Sequence, residues 1–155
     1  MKWMTVLFVV TILSLPAVAQ SSGKADVFSA AQIKALLATL GTQAAASGSA
    51  GTTLADYGSH KVQLSVRTAS GGAEIHAHFD DVMIVEQGSA TLITGGIIPD
   101  AKTNPDGETH GLSIQGGQTR AISVGDVVTV NAGVPHQILV PAGTTYSALV
   151  IKVRE

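Results

Sequence analysis

Glu74-Ile75-His76-Ala77-His78-Phe79-Asp80-Asp81 is the stretch whose reading decides this chain. Its counterpart further along is Gly125-Asp126-Val127-Val128-Thr129-Val130-Asn131-Ala132-Gly133-Val134-Pro135-His136. Side chains alternate across a strand, so His76 and His78 point to the same side and reach one ion from a rigid edge. Asp81, just past the following turn, adds a carboxylate; Asp80 is its rival. His136 follows a Gly-Val-Pro turn that can aim it inward. Imidazole and carboxylate are the groups that hold a first-row transition metal at neutral pH. Both stretches read as strands with tight turns, so a closed β-fold brings them together.

The neighbouring sequence supports such a fold. In His60–Arg67, His60, Val62, Leu64 and Val66 share one face, and Lys61, Gln63, Ser65 and Arg67 the other. Ala69-Ser70-Gly71-Gly72 is a turn. Glu74–His78 and Asp81–Glu86 read as strands, the latter ended by Gly88, and Ser89–Thr94 as another, stopped by Gly95-Gly96. The segment 100–111, with Asn104-Pro105 and Asp106-Gly107, reads as a loop or the tip of a long hairpin. Val127–Val130, Gln137–Val140 and Tyr146–Val153 complete a run of short strands at regular spacing, the pattern of an antiparallel sandwich or barrel. Met83 and Val85 should face inward after Asp81, and with Ile138 and Val140 they make an apolar pocket wall. Glu74 shares the inward face with the two histidines, as a pocket residue and a candidate general base. His60, His110, Arg67 and Arg120 read as surface or ion-pair residues. The outward apolar residues Val82 and Ile84 leave room for a sheet-to-sheet homodimer.

Ahead of these strands, Asp26–Leu40 reads as a helix packed on the outside of the barrel. Ile33, Leu36, Leu37 and Leu40 recur at helical spacing, Ser29 caps the start with Gln32 as its capping-box partner, and Gly41 is a natural stop. The Ala-, Gly-, Ser- and Thr-rich segment 41–53 reads as a flexible linker.

Together the two opening stretches resemble the cupin superfamily, whose motifs are G(x)5HxH(x)3,4E(x)6G and G(x)5PxG(x)2H(x)3N. Six residues separate Asp81 from Gly88, as in the first motif, and Gly125, Gly133 and His136 fall at the spacings of the second. The departures are four residues between Gly71 and His76 (three from Gly72), an aspartate for glutamate, only two residues between His78 and Asp81, Asn131 for proline and Val140 for the terminal asparagine. The resemblance covers roughly residues 60–153 and implies an all-β antiparallel jelly-roll barrel with one N-terminal helix. It implies His76, His78, Asp81 and His136 as ligands of one divalent transition metal: Fe, Mn, Zn, Ni or Cu. It also implies a small-molecule ligand or substrate. The first functional expectation is a metal-dependent enzyme of dioxygenase, isomerase or lyase type, its catalytic residues unassigned. The alternative is a non-catalytic small-molecule-binding, sugar-binding or storage cupin. Fold analogy does not choose among these.

Composition sets the remaining bounds. Lys2, the apolar run Trp3–Leu15 and the small residues Ala17 and Ala19 form an export signal with cleavage expected after Ala19. That run is shorter than the roughly 20 residues a membrane span requires. The expected organisation is a signal peptide at 1–19, a helix and linker at 20–59 and a barrel at 60–155, in a periplasmic or secreted protein free of the membrane once cleaved. With no cysteine, stability rests on the core alone. A net charge of −2, with 13% charged residues, does not suggest nucleic acid as a partner.

Overall fold

The structure, a computed structural model, describes residues 25–155. The expected export signal at residues 1–19 lies outside the described residues. No described helix is long and apolar enough to cross a membrane.

One helix precedes eleven strands among the described residues: α1 (Ala30–Ser47), β1 (Ser49–Asp56), β2 (His60–Arg67), β3 (Ala73–His76), β4 (Phe79–Gln87), β5 (Ser89–Thr94), β6 (Lys102–Thr103), β7 (Glu108–Gly111), β8 (Gln118–Ser123), β9 (Val127–Val130), β10 (His136–Leu139) and β11 (Tyr146–Arg154). They form two antiparallel sheets, ordered β1-β2-β11-β4-β9 and β6-β7-β3-β10-β5-β8. The chain changes sheet at each step from β2 to β5 and again at each step from β8 to β11. This is the expected antiparallel jelly roll with one N-terminal helix.

The inner layer is apolar through the middle of the barrel. Met83 and Val85 of β4, Ile138 of β10, Val140 just beyond it, and Tyr146, Ala148 and Val150 of β11 belong to one buried cluster. Val82 and Ile84 alternate with the inward residues of β4 and are half-buried. A second cluster lies outside the barrel, where Leu40 and Ala44 of α1 pack on Leu64 and Val66 of β2. The apolar face of β2 therefore serves the helix. Its polar face, with Gln63, Ser65 and Arg67, lines the interior cavity.

The helix runs past Gly41 and absorbs most of the expected linker. Leu40 and Ala44, four residues apart, are both buried against β2, and tertiary packing of this kind outweighs the glycine. Ser29 and Gln32 form the capping box, and the helix ends at Gly48 in the left-handed conformation at φ 84°. The rest of the expected linker is β1, paired along β2 with a bulge between Thr53 and Ala55. The barrel thus begins about ten residues before His60, because small residues suit both a close helix contact and an edge strand.

Three further departures bear on the site. β3 stops at His76, Ala77 and His78 form the bend that carries the chain to the other sheet, and β4 begins already at Phe79. The segment 100–111 is the β6–β7 hairpin, and β7 pairs with β3 so that Glu108 stands opposite His76. β8, which carries no apolar alternation, pairs with β5 and buries only Ile122.

Gly88 closes the tight β4–β5 turn at φ 73°, and a Cβ there would lie 2.0 Å from the Thr145 carbonyl oxygen. Gly88→Ala is expected to lower stability by roughly 3 kcal/mol, from left-handed strain plus a backbone clash. Urea unfolding of the two proteins measures it.

Candidate metal centre

Three strands bring the donors together. β3 supplies Glu74 and His76, its neighbour β10 supplies His136 directly opposite Glu74, and β4 of the facing sheet supplies Asp81. His76, Asp81 and His136 are all buried, at 6%, 5% and 5% exposure. The two imidazole centroids are 5.0 Å apart. Asp81 Oδ2 lies 3.3 Å from His76 Nε2 and 3.8 Å from His136 Nε2. Glu74 Oε2 is 3.7 Å from His76 Nε2. One donor atom each from Glu74, His76 and His136 lies within 4.8 Å of the other two.

Both rings are oriented from behind. His76 Nδ1 is hydrogen-bonded to Glu108 Oε2 across the β3–β7 pair, and His136 Nδ1 donates to the Val134 carbonyl at 3.2 Å. An acceptor on Nδ1 places the proton there and leaves Nε2 with its lone pair turned into the barrel. His76 Nε2 is buried and has no hydrogen-bond partner, its 3.3 Å approach to Asp81 notwithstanding. A buried polar atom without a partner is costly, and a cation at that point would satisfy it. The donor set therefore fits a divalent transition metal.

Two cations balance the acids. Lys152 Nζ donates to Asp81 Oδ1 at 2.7 Å, and Arg67 Nη2 approaches Glu74 Oε1 at 3.7 Å. Burial alone would raise the Asp81 pKa, but His76 and Lys152 outweigh it and hold the carboxyl below its ordinary value. Burial would lower that of His76; contact with Asp81 and Glu108 overcomes both this and the charge of Lys152, and its pKa is raised. His136 is lowered, chiefly by burial. The two imidazoles are thus driven apart, and a metal at His76 would compete with a proton.

Glu74, Asp81 and His136 open on a cavity of about 330 Å³ between the sheets, lined by Met83, Ile138, Ala148 and Val150 as well as by Arg67, Tyr146 and Lys152. That lies at the small end of the range for ligand pockets.

The residues picked out in the sequence divide as follows. His76, Asp81 and His136 converge, and Glu74 joins them as a donor. His78 does not: it is exposed on the bend after β3, in a surface pocket with Phe79, Glu108 and Lys152. The i, i+2 argument requires a strand that continues through His78, and the change of sheet ends it. Asp80 Oδ1 accepts from the Ala132 N–H at 2.7 Å and holds the turn before His136, apart from the cluster. Met83 and Ile138 line the cavity, whereas Val140 is buried in the core without lining it. Glu108, Lys152 and the cavity position of Arg67 are findings of the structure. Lys152 was legible, since it shares the period-two inward face of Tyr146, Ala148 and Val150. Nothing local marks Glu108 among the turn residues around it.

Comparison with solved structures settles the fold. A cupin-2 domain protein from Rhodospirillum rubrum aligns over 70% of this chain and 61% of its own, at 15% identity and a TM-score of 0.51. A double-stranded β-helix protein from Klebsiella pneumoniae aligns over 68% of this chain and 76% of its own, at 12% identity and a TM-score of 0.51. The chain has the cupin fold. A predicted oxalate decarboxylase from Thermotoga maritima shares this cupin barrel over 69% of the present chain and 81% of its own, at 13% identity and a TM-score of 0.52. The chain spans less than two thirds of the length of the Rhodospirillum protein. No protein-family model and no curated protein sequence matches it.

Proposed function

We propose that this chain is an exported, metal-dependent cupin acting on a small organic molecule in its barrel. One divalent transition metal would be held by Nε2 of His76 and of His136 and by the carboxylate of Glu74. Asp81 Oδ2, within 3.8 Å of both imidazole nitrogens, faces the same point as a further donor. The observation that carries this reading is the pairing of two rings, each fixed through Nδ1, with a buried and unpartnered His76 Nε2. Two imidazoles and a carboxylate with open positions suit a first-row metal that also takes water or substrate. When bound, such an ion supplies Lewis-acid polarisation of a substrate oxygen. The protein's part is to bind the substrate in a small cavity of mixed polar and apolar lining, to set the imidazole tautomers and to balance charge through Lys152 and Arg67. Export rests on the leader sequence alone.

Metal-stripped protein titrated with Fe(II), Mn(II), Ni(II), Zn(II) and Cu(II) in turn should take up about one ion per chain, the stoichiometry of a single buried site. Uptake of none of the five ends this reading. Glu108→Ala should weaken the tightest of them by about 10–100-fold with the fold intact, the usual loss when an outer partner of a ligating histidine is removed. Calorimetric titration of both proteins measures it.

A further inference from the structure

Arg67 brings five N–H donors to the cavity and makes no hydrogen bond among the described residues. Its nearest acid, Glu74, stands off at 3.7 Å, and its side chain is 22% exposed. Gly71 leaves the space in which the guanidinium sits: a Cβ there would lie 2.5 Å from Arg67 Nη1. The fork therefore balances the charge of Glu74 with its hydrogen-bonding capacity still free. Directly across the β2–β11 ladder is Tyr146, which lines the same cavity. Tyr146 is 2% exposed, and its hydroxyl is buried with no partner. Burial raises its pKa, so the hydroxyl keeps its proton and acts as a donor. A buried polar group without a partner costs stability unless a ligand supplies one.

These donors define a ligand. A guanidinium fork matches a planar carboxylate through two parallel hydrogen bonds, and a neutral amide offers only one acceptor oxygen. Elsewhere the wall combines apolar Met83, Ile138, Ala148 and Val150 with amine and amide groups that already have partners: Lys152 on Asp81, Gln63 on Thr53, and Gln137 on Gly71 and Leu112. The cavity, at about 330 Å³, admits a compact body only.

We propose that the cavity takes a small organic monocarboxylate, its carboxylate held by Arg67 with the Tyr146 hydroxyl and its apolar body against Met83, Ile138 and Val150. This builds on the small-molecule reading above and does not require the metal.

The test uses the full chain, metal-stripped, with acetate, butanoate, benzoate, butanamide and inorganic phosphate as probes, followed by calorimetry and NMR. Butanoate or benzoate should bind more tightly than acetate, and butanoate at least about tenfold more tightly than butanamide, the difference expected for charge-assisted hydrogen bonds. Arg67→Gln should remove that preference. Tyr146→Phe, which keeps the ring and its packing, should weaken butanoate about threefold or more, in line with one lost hydrogen bond, and reads the site independently of whether the Arg67 variant folds. Equal binding of butanoate and butanamide, preference for phosphate, failure of all three carboxylates to bind, or unchanged butanoate affinity in Tyr146→Phe would each overturn the proposal. Carboxylate binding that persists in a chain taking up no metal would support it while removing the metal reading.

Discussion

His136→Ala should leave a folded barrel that no longer retains metal. The imidazole is buried, its Nδ1 is tied to Val134, and its Nε2 faces the same point as His76 Nε2 and Glu74. Removing it deletes one of three clustered donors. The loss of affinity should therefore go well beyond the 10–100-fold expected for an outer partner. His76→Ala should behave alike. His78→Ala should leave affinity unchanged, because that ring is exposed on the bend beyond β3. Elemental analysis and calorimetric titration of the three variants, with circular dichroism to verify folding, decide the matter. Loss of metal in His78→Ala comparable to that in His136→Ala would place the centre elsewhere.

Lys152→Met should destabilise the metal-free protein by about 2 kcal/mol, because it removes the shorter of the two ion-pair contacts of the buried Asp81 carboxylate and leaves only His76. The side chains of Asp81 and Lys152 are 6% and 20% exposed, so solvent screens the pair little. Asp81→Asn should cost less, since the longer and more exposed lysine can turn its ammonium toward the surface pocket it also lines. The double variant Asp81→Asn/Lys152→Met should recover much of the loss, the mark of two groups acting through each other. Urea unfolding of the four metal-free proteins closes this cycle. A Lys152→Met protein within about 0.5 kcal/mol of the parent, the scatter of ordinary surface changes, would show the pair to be energetically slack.

Residues whose burial follows from alternation were legible in the sequence. Leu64 and Val66 on β2, Met83 and Val85 on β4 and the strand Ser89–Thr94 obey a period of two, and the structure keeps it. The extent of α1 was not, because Gly41 is a stop only where nothing beyond it packs, and Ala44 packs on β2. His78 misled for a related reason: alternation holds within a strand, and the chain leaves its sheet after His76. Alternation puts Glu74 on the inward face and suggests an acid–base role; only its distance to the imidazoles shows it as a donor. Glu108 was invisible, because its contact with His76 depends on a hairpin pairing between residues thirty-two positions apart.

That pairing has a consequence for how such a protein can change. The β6–β7 hairpin hangs from the sheet edge, exposed for most of its length, and adds nothing to either apolar cluster. Its sequence can drift without disturbing interior packing. Yet through Glu108 it holds the His76 ring from behind, so an appendage at the periphery orients an interior nitrogen while the barrel wall stays the same.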